Sequence, residues 1–569
     1  MVNTKKLPAR EHFFSSLSEE TISEKDYLFA KTVWKKFKCK NLVDYTELYC
    51  KIDTVLLAEI FQKFRRDMLQ FSSLDPARYI SLPAFSFDSM LKITHCRLDL
   101  PTDIDMVQFI ESGIRGGVSF INTRYLSCEK PDEKIHYIDA NNLYGHAQMS
   151  FLPYSNFDWM EREDIEAIDW KKVDTESNFG YLLEVDLEYP KKLHAKHSNF
   201  PLAPENIQVD YENLSPYSKK SLFRSTKTKK YSDSKLSATF HERKNYVLHF
   251  KNLKLYLSLG MKLKHVHRVL MFKQKKFIAP FIEMCTKERQ KASTKFEQDQ
   301  FKKVANSTYG KTIQNVRGYS TVKLHTKKKS LLKAISHHTF KNFVIIDTNL
   351  VQTNHITPVI CHDKPIAVGM TVLELSKNIM FQFYYNILSD KSFKIDLGFS
   401  DTDSFLFKTS NTEAYEKKVL PYMDFSNYPT DHPLFNEKNK AKLGFFKDEL
   451  GGKLSISEFV GLRAKCYSMK MHNEKKVEIE KKICKGLGRI AIEKRLKFQH
   501  YKDCLFNFQD KRYDFHTIRS NKQNVKTVRI NKKAISHFDS KRWLFDCGIH
   551  SVPYGSDIIN MYYNVCPRC

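Results

Sequence analysis

The seven residues Phe399–Phe405, FSDTDSF, constrain this chain more than any other stretch. Two aspartates, Asp401 and Asp403, flank one threonine, with the apolar runs LGF before and FLF after. Apolar residues alternating about a short polar centre predict a β-hairpin with its turn at Asp-Thr-Asp-Ser. Such a turn presents two carboxylates to the same solvent, where they repel unless a cation lies between them. Oxygen-only ligation of that kind suits Mg²⁺, or Mn²⁺, rather than zinc. Taken alone, the pattern more often describes a solvated acidic turn, and two earlier stretches decide against that.

The first is KIHYIDANNLYG, residues 134–145, whose apolar residues predict a strand ending at Asp139. An aspartate at a strand end, followed by small polar residues, is placed to ligate a metal. The alternating stretch YLLEVDLEY, 181–189, is a candidate sheet neighbour for it. The second stretch is KERQKASTKFEQDQFKKVANSTYGK, 287–311, which predicts a helix ending at Gly310. Lys302, Asn306 and Tyr309 recur at i, i+4 and i+7, so one face offers a cation, an amide and an aromatic ring. Lysine suits a triphosphate and tyrosine suits stacking. Lys291 lies three turns earlier, roughly 16 Å away in one straight helix, so a bend is expected near Ala292–Thr294.

The net charge of +28 points to a polyanionic partner. From 215 to 275, lysine and arginine interleave with tyrosine, phenylalanine and histidine, a composition suited to a nucleic-acid backbone plus stacking. No apolar run reaches transmembrane length, so a membrane is the weaker candidate. The twelve cysteines are scattered, which fits a reducing compartment. Cys566 and Cys569, in CPRC, have no second Cys pair nearby and read as free thiols at a frayed terminus. In 41–69, Leu56, Ile60, Phe64 and Met68 recur at helical spacing, and Tyr49 and Asp53 share a face. Gly116-Gly117 marks a tight turn or a close backbone approach. The helix expected over 365–388 is apolar throughout, and Lys327–Lys329 is assigned to a loop. Lys465 and Tyr467 alternate on a predicted strand.

In this order the motifs closely resemble those of the family B DNA polymerases. DANNLYG from Asp139 is similar to that family's D-x-x-S-L-Y-P, with Asn142 and Gly145 in place of Ser and Pro. KKVANSTYG matches K-x-x-x-N-S-x-Y-G at every fixed position from Lys302 to Gly310. FSDTDS departs from Y-x-D-T-D-S only at Phe399, and Lys465 with Tyr467 supplies the primer-contact K-x-Y. RGG at 115–117 is similar to the Y-x-G-G of the protein-primed branch, with Ile114 in the tyrosine position. The overall pattern looks most like the polymerases of Polinton/Maverick elements, linear plasmids and related viruses. Of three exonuclease motifs only Y-x-x-x-D is present, as Tyr49 to Asp53, on a helix expected to pack on the palm through Leu56, Ile60 and Phe64. The first forty residues are too few for the missing ligands, so an N-terminal truncation and no 3′→5′ exonuclease activity are expected.

The resemblance implies an α+β right-hand polymerase that adds dNTPs to a primer 3′-hydroxyl with two Mg²⁺ ions. Asp139, Asp401 and Asp403 would hold the metals, and Lys302 would neutralise the leaving phosphates. Leu143, Tyr144, Asn306, Tyr309, Arg289 and Lys291 would bind the nucleotide, with Tyr144 the gate against a ribose 2′-hydroxyl. Lys465, Tyr467, Gly116, Gly117, Ser307 and Gly310 would contact DNA. The implied organisation is an exonuclease remnant at 1–75, a first palm part at 76–277 with a basic insertion at about 191–277, and fingers at 278–315. A second insertion at 316–362, a second palm part at 363–495, and a thumb and tail at 496–569 complete it. The implied partners are primer–template DNA and dNTPs, with a terminal protein or a nucleic acid as the two open alternatives for the primer. A monomer inside the cell is expected, in the nucleus first and otherwise in the cytoplasm or mitochondrion. A catalytically inactive DNA-binding relic is the alternative, against which the intact metal and fingers motifs count.

Overall fold

The computed structural model describes residues 4–521, 524–562 and 565–569. Its centre is the predicted hairpin. Strands Lys394–Asp401 and Ser404–Ser410 pair antiparallel with Asp401 opposite Ser404, so Thr402 and Asp403 form the turn. Thr402 takes a left-handed φ of 62°, which a β-branched residue adopts only where its surroundings enforce it. On one side Ser119–Ile121 pairs with the first strand, and on the other Lys134–Ala140 pairs with the second. The sheet continues through Leu454–Arg463, Cys466–Asn473 and Glu478–Cys484.

The stretch 181–189 does not join this sheet. Strand Phe179–Glu188 lies in a second sheet, between Lys262–Lys275 and Arg243–His249, with Leu152–Trp159 at the far edge. Part of the basic stretch 191–277 therefore completes a sheet begun by residues before it. Between the two sheets lies helix Ile366–Phe383, buried along almost its whole length as its composition predicts. Ile138, Phe405, Leu183, Leu248 and Phe381 share one core around it. Each such side chain, fully buried, contributes about 1.5–3 kcal/mol. That core fixes the back of the hairpin while its turn faces outward.

The fingers segment is a helical hairpin, Ala279–Lys291 and Lys295–Thr312. The break falls at the predicted place because Thr294 caps the second helix in a reciprocal box with Glu297. Gly310 does not end that helix, which runs on to Thr312. Residues 320–356 form a separate three-stranded sheet with the helix Lys328–Ile335, so Lys328 and Lys329 open a helix rather than lie in a loop. Among the described residues no helix is long and apolar enough to cross a membrane.

Helix Leu42–Ser72 corrects one expectation. Leu56 and Ile60 are about half exposed, at 51% and 53%, and Tyr49 and Asp53 lie on the same open part of the helix. Tyr45 near its start stacks on Trp34. Its C-terminal part packs on helix Leu82–Thr94, in the expected first palm part, where Phe64 meets Phe85 with ring centroids 6.5 Å apart and Ser89 donates to Ser72 at 3.2 Å. The same part also packs on the fingers. Phe71 meets Phe301 with ring centroids 5.4 Å apart, Lys63 pairs with Glu297 at 2.8 Å, and Met68 is fully buried. Met68→Ala is accordingly expected to destabilise the chain by about 2–5 kcal/mol, whereas Leu56→Ala should stay within about 0.5 kcal/mol. Thermal unfolding of the two variants checks this, and equal losses would place Leu56 in a core.

Candidate active site

Adjacent strands bring Asp139 and Asp403 together. Asp139 stands opposite Ser404, and the Ala140 N–H donates to the Asp403 carbonyl at 2.8 Å. Burial, the Asp403 charge and the Glu449 charge push the Asp139 carboxyl up to about 8. Burial also raises Asp403, and the neighbouring Asp401 and Glu449 add to it. Two partly buried carboxylates side by side disfavour each other's ionisation, and a hard divalent cation relieves both at once. The donor set is oxygen only, as such a cation prefers.

Asp401 is turned elsewhere. Both its oxygens accept from the Lys465 ammonium, at 2.7 and 2.9 Å. Lys465 is not on a strand, as its alternation with Tyr467 suggested. It sits in the turn before Cys466–Asn473 with a φ of 59°, and that turn aims its side chain at Asp401. Tyr467 is on the strand but buried, stacked on Phe399 with centroids 4.6 Å apart. Its ring therefore supports the floor beneath the Asp401–Ser404 turn. Phe399, where the family has tyrosine, is 1% exposed in that same apolar floor.

The departures in DANNLYG form one coordinated unit. Asn142 adopts a left-handed φ of 45° and its side chain accepts from the Gly145 N–H at 3.1 Å, capping helix Leu143–Gln148. A Cβ on Gly145 would lie 2.3 Å from the Asn142 amide, and proline would lack the donated N–H. Asn142 and Gly145 thus require each other. Leu143 is buried in the core, so it is Tyr144 that faces the fingers. Its ring stacks on Tyr309 with centroids 4.5 Å apart and planes at 19°.

Around this stack the fingers supply the remaining predicted groups. Lys302 is exposed and its charge lowers the Asp139 carboxyl. Asn306 has a buried Oδ1 with no hydrogen-bond partner. Ser307 is spent on the Lys303 carbonyl, at 2.6 Å, and Gly310 is exposed with open space around it. Arg289 is half-buried on the first fingers helix. Lys291 pairs with Glu288 at 2.8 Å near the hairpin's tip, and Lys302 lies about 10 Å along the second helix. Those two lysines are not brought together here.

Gly117 shows why a glycine is needed there. A Cβ would fall 2.4 Å from the Thr402 side chain, and the Thr402 N–H donates to the Val118 carbonyl at 2.9 Å. Gly116 has open space and no such constraint. Ile114 is half-buried beside the apolar cluster of Val107 and Met370. Tyr49 has its hydroxyl pKa raised by the Asp53 carboxylate, and both residues are exposed.

Sequence reasoning missed three groups. Glu449 is exposed yet close enough to raise both Asp139 and Asp403, and Lys481, above the Tyr137 ring at 4.5 Å, opposes it. Gln148 is fully buried and donates to the Tyr144 and Ala305 carbonyls, at 3.2 and 3.5 Å, linking palm and fingers. Glu449 follows GFFKD, and its strand Phe446–Asp448 pairs with Lys134–Ala140. That pairing was the available signal, and it is a long-range one.

The raised Asp139 carboxyl makes a pH prediction for the chain with no added divalent cation. Its folded pKa of about 8 exceeds an unfolded value near 4. The folded state then binds more protons across that window, so its contribution is fully present below about pH 4 and lost as pH rises through 8. Thermal melts of wild type and Asp139→Asn should diverge from pH 8 to pH 5, with wild type gaining relatively more at the lower pH. Parallel curves would refute the shift.

A carboxylate pair beside the turn of an antiparallel sheet, under a helical hairpin, is the arrangement that the resemblance to a polymerase implies. Residues 12–388, more than half of the chain, match the family model of DNA polymerase type B, organellar and viral, and the chain belongs to that family. It is a template-directed DNA polymerase, of a family that works with a divalent metal. No curated protein matches it in sequence. Among solved structures it is similar to Phi29 DNA polymerase complexed with primer-template DNA and incoming nucleotide substrates, with 14% identity, TM-score 0.50, 80% of this chain and 68% of the other covered. It is also similar to the orthorhombic crystal form of that polymerase and to its complex with single-stranded DNA, each at 13% identity, TM-score 0.51 and the same coverage. At that identity the likeness concerns the fold, a right hand of mixed helix and sheet.

Proposed function

We propose that nucleotide addition takes place between Asp139, Asp403 and the Tyr144–Tyr309 stack. The primer 3′-oxygen bonds to the α-phosphorus of a dNTP, the bond to the β-phosphate oxygen breaks, and pyrophosphate leaves. The observation that carries this reading is the Asp139–Asp403 pair, both raised in pKa, at the end of neighbouring strands. Bound there, two divalent ions, Mg²⁺ with Mn²⁺ as a substitute, would stabilise the attacking and leaving oxygens. Lys302 faces the pair from the fingers and suits the departing phosphates. Asn306, with its unpartnered Oδ1, suits a polar group of the nucleotide. Lys465 holds Asp401 until DNA or metal competes for either, which makes Asp401 the assisting rather than the bridging carboxylate.

The DNA is proposed to cross the face carrying Gly116, Gly117, Lys465 and Gly310, with Tyr467 acting from below as a positioning residue. The domain boundaries follow the same proposal: fingers at 278–315, palm on either side, and a thumb from 496 that includes the hairpin Lys511–Asn521 and Asn524–Ile535. The long stretches at 191–277 and 316–362 support initiation from a terminal protein. Tyr49 and Asp53, exposed on their helix, are proposed to correspond to the family's Y-x-x-x-D exonuclease motif.

Tyr144 provides the test of the nucleotide's placement. Its ring is fixed by Tyr309, so removing it opens space beside the sugar without disturbing the carboxylates. Tyr144→Ala should raise ribonucleotide use relative to dNTP by about tenfold or more in a competition assay on primer–template. Unchanged discrimination would place the nucleotide elsewhere.

A further inference from the structure

Four metal-binding side chains meet where a frayed terminus was expected. Cys547 and His550, in CGIH, face Cys566 and Cys569, in CPRC, and one ligand atom from each lies within 4.8 Å of all the others. The His550 Nδ1 is 3.7 Å from the Cys547 sulfur, 3.2 Å from Cys566 and 3.5 Å from Cys569. Hydrogen bonding does not account for this, because one imidazole nitrogen has a single lone pair and cannot accept three thiol protons. A tetrahedral cation does. With Zn–S near 2.3 Å and Zn–N near 2.0–2.1 Å, the sulfur–nitrogen edge of the tetrahedron is about 3.6 Å, the separation found here.

The backbone is shaped for the same purpose. The N–H groups of Ile549 and His550 point at the Cys547 sulfur, at 3.4 and 3.5 Å. Such donors stabilise a thiolate rather than a thiol. Gly548 takes a φ of 67°, and a Cβ there would strike Tyr217 at 2.5 Å. The Asp546 carboxylate accepts from the N–H groups of both Cys547 and Cys566, at 2.8 and 3.1 Å, and so ties the two halves together. Cys566 is buried, which corrects the frayed-terminus expectation. The missing partner was not a second Cys pair but a C-x-x-H.

We propose that Cys547, His550, Cys566 and Cys569 form a structural Cys₃His zinc site, separate from the catalytic carboxylates, that clamps the C-terminal segment to the palm. Soft thiolates with one imidazole in a four-ligand tetrahedron select zinc over the hard ions of the polymerase centre. With all four ligands supplied by protein, the site is closed and holds no reacting water. Its anchor is Arg124, fully buried, whose guanidinium donates to the carbonyls of Gly548, His537 and Leu462 at 3.0, 2.7 and 3.1 Å. The first lies in the CGIH turn and the last on the strand leading to Lys465. Arg568 reaches Asp396 on the strand that ends at Asp401, at 3.7 Å. The clamp thus closes the C-terminal segment onto the strands that carry the site.

The full chain, tag-free and purified under reducing conditions, should carry one zinc per molecule by elemental analysis after dialysis. Cys566→Ser with Cys569→Ser should lose it, while Asp139→Asn should keep it. Cobalt exchanged into the wild type should show thiolate-to-metal charge-transfer absorption and tetrahedral visible bands, a reading that does not depend on any variant folding. Wild type without stoichiometric zinc, iron in its place, octahedral cobalt, a Cys566–Cys569 disulfide, or zinc retained by the double variant would each overturn the proposal.

Discussion

Asp139→Asn or Asp403→Asn should reduce primer extension by about 10³-fold or more while leaving primer–template affinity within about twofold. Asparagine keeps the size of the side chain and the backbone pairing between Ala140 and Asp403, so the fold is not at issue. What it removes is one of the two charges that hold divalent ions against their mutual repulsion, a loss of several kcal/mol of transition-state stabilisation, and each 1.36 kcal/mol is tenfold in rate. DNA affinity rests instead on lysine and arginine contacts with phosphates, which neither change touches. Single-turnover extension beside a filter-binding titration separates the two. Substantial extension by either variant would refute the assignment, and joint loss of extension and binding would indicate a structural role.

Gly117→Ala should slow extension by about 10²-fold without unfolding the chain. Its new Cβ would fall 2.4 Å from a Thr402 methyl, inside the turn that positions Asp401 and Asp403. Relief requires the turn to move, and a displacement of about 1 Å at a reacting centre costs on that order. Thr402 is already held at a φ of 62°, so Thr402→Gly removes both the clash and a conformation unfavourable to threonine. The double variant should recover most of the rate lost by Gly117→Ala. Without recovery, Gly117 would serve through something other than its contact with Thr402, such as direct approach of DNA.

Much of the site could be read from the sequence because its parts are local. The Asp-Thr-Asp-Ser turn lies between two apolar runs, Asp139 closes a strand, and Lys302, Asn306 and Tyr309 follow the helical repeat. The fingers break is expected from the reach between Lys291 and Lys302, yet the capping box of Thr294 with Glu297 is what makes it, and the two lysines stay apart. What sequence could not supply was the partner of each element. Alternation marks Phe179–Glu188 as a strand, yet the same pattern fits either sheet, and the structure puts it in the second. Helical spacing gives Leu56 and Ile60 a common face, but spacing does not say what covers a face, and here solvent meets it. Alternation with Tyr467 places Lys465 on a strand because it cannot reveal a left-handed turn at a non-glycine residue. Glu449, Lys481 and Gln148 act across the fold and leave no local trace. His550 lies 16 residues before Cys566, and a search for paired cysteines passes over it.

The most direct measurement is single-nucleotide addition by the purified chain on a primer–template with Mg²⁺, one dNTP at a time. Template-directed chemistry at Asp139 and Asp403 predicts extension by one residue only with the dNTP complementary to the next template base. That extension should vanish when the divalent ion is withheld and in Asp139→Asn. Addition independent of the template base, addition surviving in Asp139→Asn, or a folded, DNA-binding chain that adds no nucleotide would contradict it.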